Sequence, residues 1–269
     1  MKGLVEVYSR RTFLKISAAI TALVAGGYFF KSSGVPKVKH ILSSASHERL
    51  GITLSLSKTT SKLELLLNDS NLIKGRKTDK EGKHWQFLSN KLISNESYEL
   101  QLISENEPIY KRWTIKTFPD PEAKIKQLSF ISFTCPGGGD AFRASGREFF
   151  KPFSFRQNIF NEGLSKNPDF AIAIGDHVYW DLRGESSPPV GRNSKLIKFF
   201  LGGYLRLRYG SFNRLESADS KTNESVLKKI GNEQIASLYG TRFKSTPIFF
   251  VPDDHDYFEN DDAEEDLVT

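Results

Sequence analysis

The chain has 269 residues, 38% hydrophobic, 26% charged and 12% aromatic, and carries a formal net charge of +6. So many aromatic residues exclude wholesale disorder, and a single Cys excludes a disulfide framework or a Cys-rich metal module. This length allows one large domain, or a large and a small one.

The first 31 residues hold Lys2, Arg10, Arg11, Lys15 and Lys31 against Glu6, so much of the net charge sits there. The basic pI is therefore poor evidence for nucleic-acid binding, and no nucleic-acid partner is expected. Ser9-Arg10-Arg11-Thr12-Phe13-Leu14-Lys15 precedes an apolar run from Ile16 to Phe30. That run falls short of the ~20 residues a bilayer-spanning helix needs and suits a signal sequence. Residues 1–31 read as a twin-arginine signal, handed to the twin-arginine export machinery and sent across a bacterial inner membrane to the periplasm or outer face. No A-x-A cleavage site follows Phe30, which leaves an uncleaved membrane anchor open.

Residues 36–118 read as short strands. Ile52, Leu54 and Leu56 alternate with Thr53, Ser55 and Ser57, and Leu63, Leu65 and Leu67 share a face opposite Glu64. Tyr98, Leu100, Leu102, Trp113 and Ile115 keep the same period of two. Asn68-Asp69-Ser70-Asn71, Asp79-Lys80-Glu81-Gly82 and Ser104-Glu105-Asn106-Glu107-Pro108 are turn signals between them. The spacing predicts a β-sandwich. Leu92–Tyr98 resembles the turn of fibronectin type III modules in which a Tyr caps a corner. Pro119-Asp120-Pro121-Glu122 then reads as a linker.

Residues 126–269 change rhythm. Leu128–Thr134, Phe170–Ile174 and Pro247–Val251 are nearly continuous apolar strands, the pattern of strands covered on both faces. Glu148–Leu164 and Glu224–Leu238 are partly helix-compatible, with Pro152, Gly163 and Gly231 blurring their limits. The alternation predicts an α/β domain with flanking helices. Between them, Gly191–Gly210 carries five basic residues interleaved with Phe199, Phe200, Tyr204 and Tyr209 and no acid. It reads either as positive potential near a site mouth or as an amphipathic helix packing its aromatics inward.

Polar groups follow each of the three strands. The first ends in Cys135-Pro136-Gly137-Gly138-Gly139-Asp140, the second in Gly175-Asp176-His177-Val178-Tyr179, the third in Asp253-Asp254-His255-Asp256. In an open α/β sheet such ends meet in one crevice. Cys135, Asp176, Tyr179, Asp254 and His255 would then crowd together, and their negative charge calls for a cation. One thiolate, one phenol and carboxylates suit iron with a second divalent ion better than zinc. Each residue also has a plain structural reading. Cys135 could be a buried thiol, Asp176 a cap, Tyr179 a core aromatic, and Asp254 with His255 part of a solvated acidic loop. Nine acids between 253 and 266 would also suit calcium binding without catalysis. His177 is left unassigned, Asp140 and Asn260 are candidates for support, and Gly137–Gly139 could let backbone approach a phosphate.

Gly175-Asp176-x-x-Tyr179 and Asp253-Asp254-His255-Asp256, with Cys135 closing the first strand, resemble the PhoD-like alkaline phosphatases of the calcineurin-like metallophosphoesterases. The resemblance covers essentially the whole chain. It implies a partial metallophosphoesterase domain with a mixed sheet and flanking helices, after a small fibronectin type III-like β-sandwich. It implies that Cys135 and Tyr179 ligate Fe3+, that Asp176 bridges to Ca2+ or another divalent ion, and that Asp254 contacts that second metal. His255 would donate to the leaving-group oxygen, and a metal-bound hydroxide would attack a phosphate ester. The family pattern normally continues to further Asp and His ligands, and the chain reaches Thr269 without them, so a C-terminally truncated enzyme is expected. The expected function is an exported phosphatase or phosphodiesterase acting on a phosphate-ester small molecule or a phospholipid. The rival is a non-catalytic exported protein that binds phosphate or calcium.

Overall fold

The computed structural model describes residues 35–141, 143–144, 147–148, 150–179, 208–210, 216–217, 219–253 and 256. Residues 1–31, Asp254, His255, Asn260 and most of the 191–210 stretch lie outside them. Among the described residues no helix is long and apolar enough to cross a membrane. The described residues from Pro36 onward form one compact unit.

Its first part is an antiparallel sandwich. One sheet has the order β1-β2-β6-β5: Val38–Ala45, Leu50–Leu56, His84–Ser89 and Arg76–Lys77. The other places β4 (Asn71–Lys74) beside β3 (Leu63–Leu67) and β3 beside β7 (Ser97–Ser104), with β8 (Glu107–Pro108) and β9 (Trp113–Lys116) both pairing β7. The expected alternation sets the register. Ile52, Leu54, Leu65, Phe87, Leu100 and Trp113 belong to one closed core between the sheets. Glu64 is buried on the far face of β3 and pairs with Lys62 at 2.9 Å. Asn68 and Asp69, and again Glu105 and Asn106, take left-handed φ values of 45°, 56°, 51° and 69°. Two adjacent left-handed residues make the turn whose twist matches a hairpin, so these turn signals act as read. The Tyr98 hydroxyl accepts the Ile93 N–H at 2.8 Å, tying the chain before β7 to the strand itself.

After a loop through Pro119–Glu122 come three parallel strands in the order β10-β13-β14. They are Phe130–Thr134, Phe170–Ile174 and Ile248–Val251. Two short segments, β11 (Arg143–Ala144) and β12 (Arg147–Glu148), form a hairpin between β10 and the first helix. That helix, α1 (Phe153–Leu164), starts directly after Pro152, where the missing N–H costs nothing, and its Gly163 lets the β10 residue Ile131 pack close. The second, α2 (Lys221–Ile230), is capped by the Ser220 hydroxyl and runs at Gly231 into a π-helical stretch, Gly231–Ser237. Phe160 of α1 packs with Ala171, Ala173, Leu238, Tyr239 and Phe243 on one face of the sheet.

The expectation of strands covered on both faces needs correction. Ala171 and Ala173 are fully buried, but Phe130 is 55% exposed, Ile174 43% and Val251 49%. Side chains alternate across a strand, and among the described residues α1 and the 238–243 turn pack on one face. On the other face Phe118, Phe170 and Phe249 pack against one another near one end of the strands. The three described strands of this sheet pair in parallel.

The two parts are stitched together at β1. Ile41 N–H donates to Gly240 O at 3.0 Å and the Ser43 hydroxyl to Lys244 O at 2.8 Å. Lys228 of α2 reaches Asp79 and Glu81 on a sandwich loop at 3.6 and 3.3 Å.

Candidate metal centre

Parallel registry puts the carboxyl ends of the three strands level. Thr134 pairs with Ile174, and Ile174 with Val251, so Cys135, Gly175 and Pro252 leave the sheet side by side. The backbone then crosses between the strand ends. Gly175 N–H donates to Val251 O at 2.7 Å and Gly137 N–H to Asp176 O at 2.9 Å. Gly175 has φ 66°, and a Cβ there would sit 2.6 Å from that of Asp253. Only glycine lets the third strand end come this near the second.

Cys135 and Asp176 both take left-handed φ, 51° and 54°. For residues other than Gly, Asn or Asp that region is sparsely populated, and Cys135 occupies it beside the crevice. The arrangement brings Cys135, Asp176 and Tyr179 together. The Tyr179 hydroxyl donates to Asp176 Oδ2 at 3.2 Å. The Asp176 carboxylate, accepting from the thiol, holds the Cys135 pKa above its ordinary value, and the Thr134 and Tyr179 hydroxyls act against it. Cys135 is exposed, so it is not the buried core thiol of the alternative reading.

The fit to a cation can be tested on Asp176 itself. Its side chain is buried, and Oδ1 has no hydrogen-bond partner. An unsatisfied buried carboxylate oxygen costs several kcal/mol unless something positive meets it, by an order-of-magnitude estimate. A thiol and a phenol beside it would complete a mixed sulfur and oxygen set. Among the described residues no three His, Cys, Asp or Glu side chains gather as a metal-holding group. The third member here is a phenol, and Asp254 and His255 lie outside the described residues. Cys135, Asp176 and Tyr179 thus fit one cation.

Asp253 and Asp256 bracket the two residues not described. Asp256 is a staple: Oδ1 accepts from His177 N–H and Val178 N–H, both at 2.8 Å, and Oδ2 from Asp253 N–H at 3.1 Å. His177 Nε2 lies 3.0 Å from Val251 O, and since a carbonyl only accepts, that nitrogen carries the proton. Its Nδ1 is buried without a partner.

In the glycine loop the N–H groups of Gly137 and Gly138 already have partners within the protein. The loop's carbonyls face Arg156 of α1, which donates to Pro136 O and Gly137 O at 2.7 Å each and also to Gly138 O and Gly139 O. Its N–H groups are taken at Gly137 by Asp176 O and at Gly138 by Gln234 Oε1. A Cβ on Gly137 would lie 2.4 Å from Asp176 O, so this glycine allows close packing of two strand ends. Asp140 does give support: Oδ1 accepts Phe153 N–H at 2.8 Å, fastening the loop to the start of α1.

Arg156, Gln234 and Asp256 escape the sequence reading. Asp256 could have been found as the last acid of the Asp253–Asp256 string. Nothing local marks Arg156 or Gln234. In the basic stretch, the described Arg208 pairs with Glu233 and Tyr209 is buried. Beside the trio a cavity of about 520 Å³ opens, walled by Phe133, Phe150, Phe155 and Ile159, with Lys151 also lining it.

The structure titled "Structure of PhoD" is similar to this chain at a TM-score of 0.52 and 14% identity, over 87% of this chain and 42% of that one. A purple acid phosphatase, PPD1, from yellow lupin (Lupinus luteus) seeds is similar at 0.43 and 13%, over 82% of this chain and 35% of that one. The chain thus spans about two fifths of PhoD's length. No protein-family model matches the chain, and no curated protein does.

Proposed function

We propose that this chain, which has a PhoD-like metallophosphoesterase fold, is a metal-dependent phosphoesterase. The observation that carries the reading is the buried, partnerless Oδ1 of Asp176, set beside a thiol and a phenol at the ends of parallel strands. Cys135, Asp176 and Tyr179 would hold Fe3+. Asp176 would share it with a second ion, Ca2+ or another divalent metal, which Asp254 would contact. When bound, the cations supply Lewis acidity and neutralise charge on the phosphoryl oxygens. The chain's own part is placement. Gly175 and Gly137 bring three strand ends within reach of one another, and Asp256 holds the second and third together. The Asp176 carboxylate lines the crevice, with the Cys135 thiol and the Tyr179 hydroxyl turned toward it. His255 would give a proton to the leaving-group oxygen.

The substrate class is a phosphate ester, either a small molecule or a phospholipid. The Arg10-Arg11 leader supports export by the twin-arginine machinery, with a membrane anchor if it is not cut. The two-sheet topology and the Tyr98 corner support a fibronectin type III-like sandwich ahead of the catalytic part.

The test is turnover of p-nitrophenyl phosphate and bis-p-nitrophenyl phosphate by the full chain supplied with iron and calcium. Asp176→Asn and Cys135→Ser are expected to abolish turnover while circular dichroism stays native. Turnover unchanged in both would overturn the site. Metal binding without turnover would favour the rival, a non-catalytic binding protein.

A further inference from the structure

Gln234 is a neutral residue in the second half of the chain, 96 positions from Gly138 and 55 from Tyr179. Its side chain is 2% exposed. Its Oε1 accepts two backbone N–H groups at once, from Gly138 at 3.0 Å and from Tyr179 at 3.0 Å. Both partners are donors, so the atom facing them is the amide oxygen and not the nitrogen. One of those donors belongs to the loop that carries Cys135. The other is the backbone of Tyr179 itself.

The residue reaches this place because the helix changes pitch. Regular α2 ends at Ile230 and the chain continues as a π-helix over Gly231–Ser237. A π turn takes one residue more than an α turn, so it rotates every later side chain relative to the preceding helix, and such turns tend to mark functional sites. Gly231, where the change begins, has nothing within 4 Å of where a Cβ would be. Crowding at this position therefore does not force the change of pitch. Gln234 and the neighbouring Glu233, whose Oε1 is 3.5 Å from Asp140 N, both turn toward the loop that follows β10.

We propose that Gln234 is a positioning residue: through its two hydrogen bonds it fixes where Cys135 and Tyr179 stand relative to each other, and so sets the affinity of the site for its cation. The inference rests on the cation reading of Cys135, Asp176 and Tyr179. It adds that the pocket is prearranged from behind by an uncharged amide on a π-helical turn. Two hydrogen bonds to one oxygen are angle-sensitive, so losing that oxygen frees both loops together. Groups that orient ligands in this way typically change metal affinity by about 10–100-fold when removed.

The test uses two variants of nearly the same shape. Gln234→Met lacks the acceptor, and Gln234→Glu keeps it. The full chain is titrated with Fe3+ supplied as the citrate complex, reading the heat of binding and the visible ligand-to-iron absorption. Gln234→Met is expected to bind about 10–100-fold more weakly than wild type, with a shifted absorption band, at a temperature where circular dichroism shows both folded. Gln234→Glu is expected to keep the wild-type band. A purely structural role would lower the melting temperature of Gln234→Met and leave the affinity of the folded protein unchanged, and that result overturns the inference alone. A wild-type chain that takes up no iron overturns the cation reading and this inference with it. Should Gln234→Met not fold, wild type decides. Coupling is reciprocal, so iron must slow amide hydrogen exchange at Gly138 and Tyr179, and unchanged exchange rejects the proposal.

Discussion

The sandwich and the α/β part spend their hydrogen bonds and their apolar surface in opposite ways. In the sandwich, Ile52, Leu54, Phe87 and Leu100 close a core between two sheets, and the chain's order comes from burial. In the α/β part, among the described residues, α1 and the 238–243 turn cover one face of the sheet, while Phe130, Ile174 and Val251 stay exposed. There the strand ends are held by polar staples instead: Arg156 on four carbonyls, Gln234 on two amides, Asp256 on three. Burial is non-directional and gives stability; hydrogen bonds are directional and give placement. A region proposed to hold a thiol, a carboxylate and a phenol in one geometry needs the second kind.

The largest expected effect tests the burial half of this contrast. Phe87→Ala should cost about 3–5 kcal/mol in urea unfolding, because its ring is 1% exposed inside a closed core. Ile159→Ala on α1 should cost less than about 1 kcal/mol, since that side chain is 53% exposed. Equal losses would break the contrast and would mean that α1 buries its outer face in the folded protein.

A smaller effect concerns acid. His40 is buried in β1 beside Ser55, 2.6 Å away, and its pKa is pushed down to about 4 by burial, helped by His84 and Lys39. The imidazole is therefore neutral when folded, whereas the unfolded chain protonates near its ordinary value of 6.5. Stability is then complete above that value and declines as the pH falls from 6.5 towards 4, by about 3 kcal/mol in all at ~1.4 kcal/mol per pKa unit. His84 shifts in the same direction, mainly through burial. His40→Gln should flatten the wild-type decline between pH 6.5 and 4. If the slope persists in the variant, the acid sensitivity lies outside the β1–β2 pair.

The sandwich was legible because its forces are local in sequence. Ile52, Leu54 and Leu56 alternate, Asn68-Asp69 turns, and the partner strand follows within a few residues. The three parallel strands were legible as apolar runs, but their one-sided cover was not, because an apolar run looks the same whether one face or both are packed. Of the proposed centre, Cys135 and Asp176 could be singled out because they stand at strand ends, and Tyr179 because it follows Asp176 in the same segment. Gln234 and Arg156 could not. Gln234 acts on backbone 96 positions away, and its direction depends on a π turn that no local periodicity announces. The glycines of 137–139 invited a phosphate-cradle reading because sequence does not say what takes their N–H groups.

The smallest effect comes from making one edit in both regions. Tyr98→Phe removes the oxygen that accepts Ile93 N–H at 2.8 Å, and should cost about 1 kcal/mol of stability, the net worth of one such bond. It should leave iron uptake untouched, because the corner lies in the sandwich. Tyr179→Phe removes the hydroxyl that donates to Asp176 Oδ2 at 3.2 Å. That bond is longer, and Asp176 keeps the hydrogen bond from the Cys135 thiol, so its loss should lower the melting temperature less than Tyr98→Phe does. It should instead weaken Fe3+ uptake and remove the phenolate part of the visible band. The two variants thus exchange readouts: one moves the melting curve, the other the iron titration. If Tyr179→Phe lowers the melting temperature as Tyr98→Phe does and leaves iron uptake at the wild-type level, the phenol is a structural tie like its counterpart. The trio of Cys135, Asp176 and Tyr179 would then lose its third ligand.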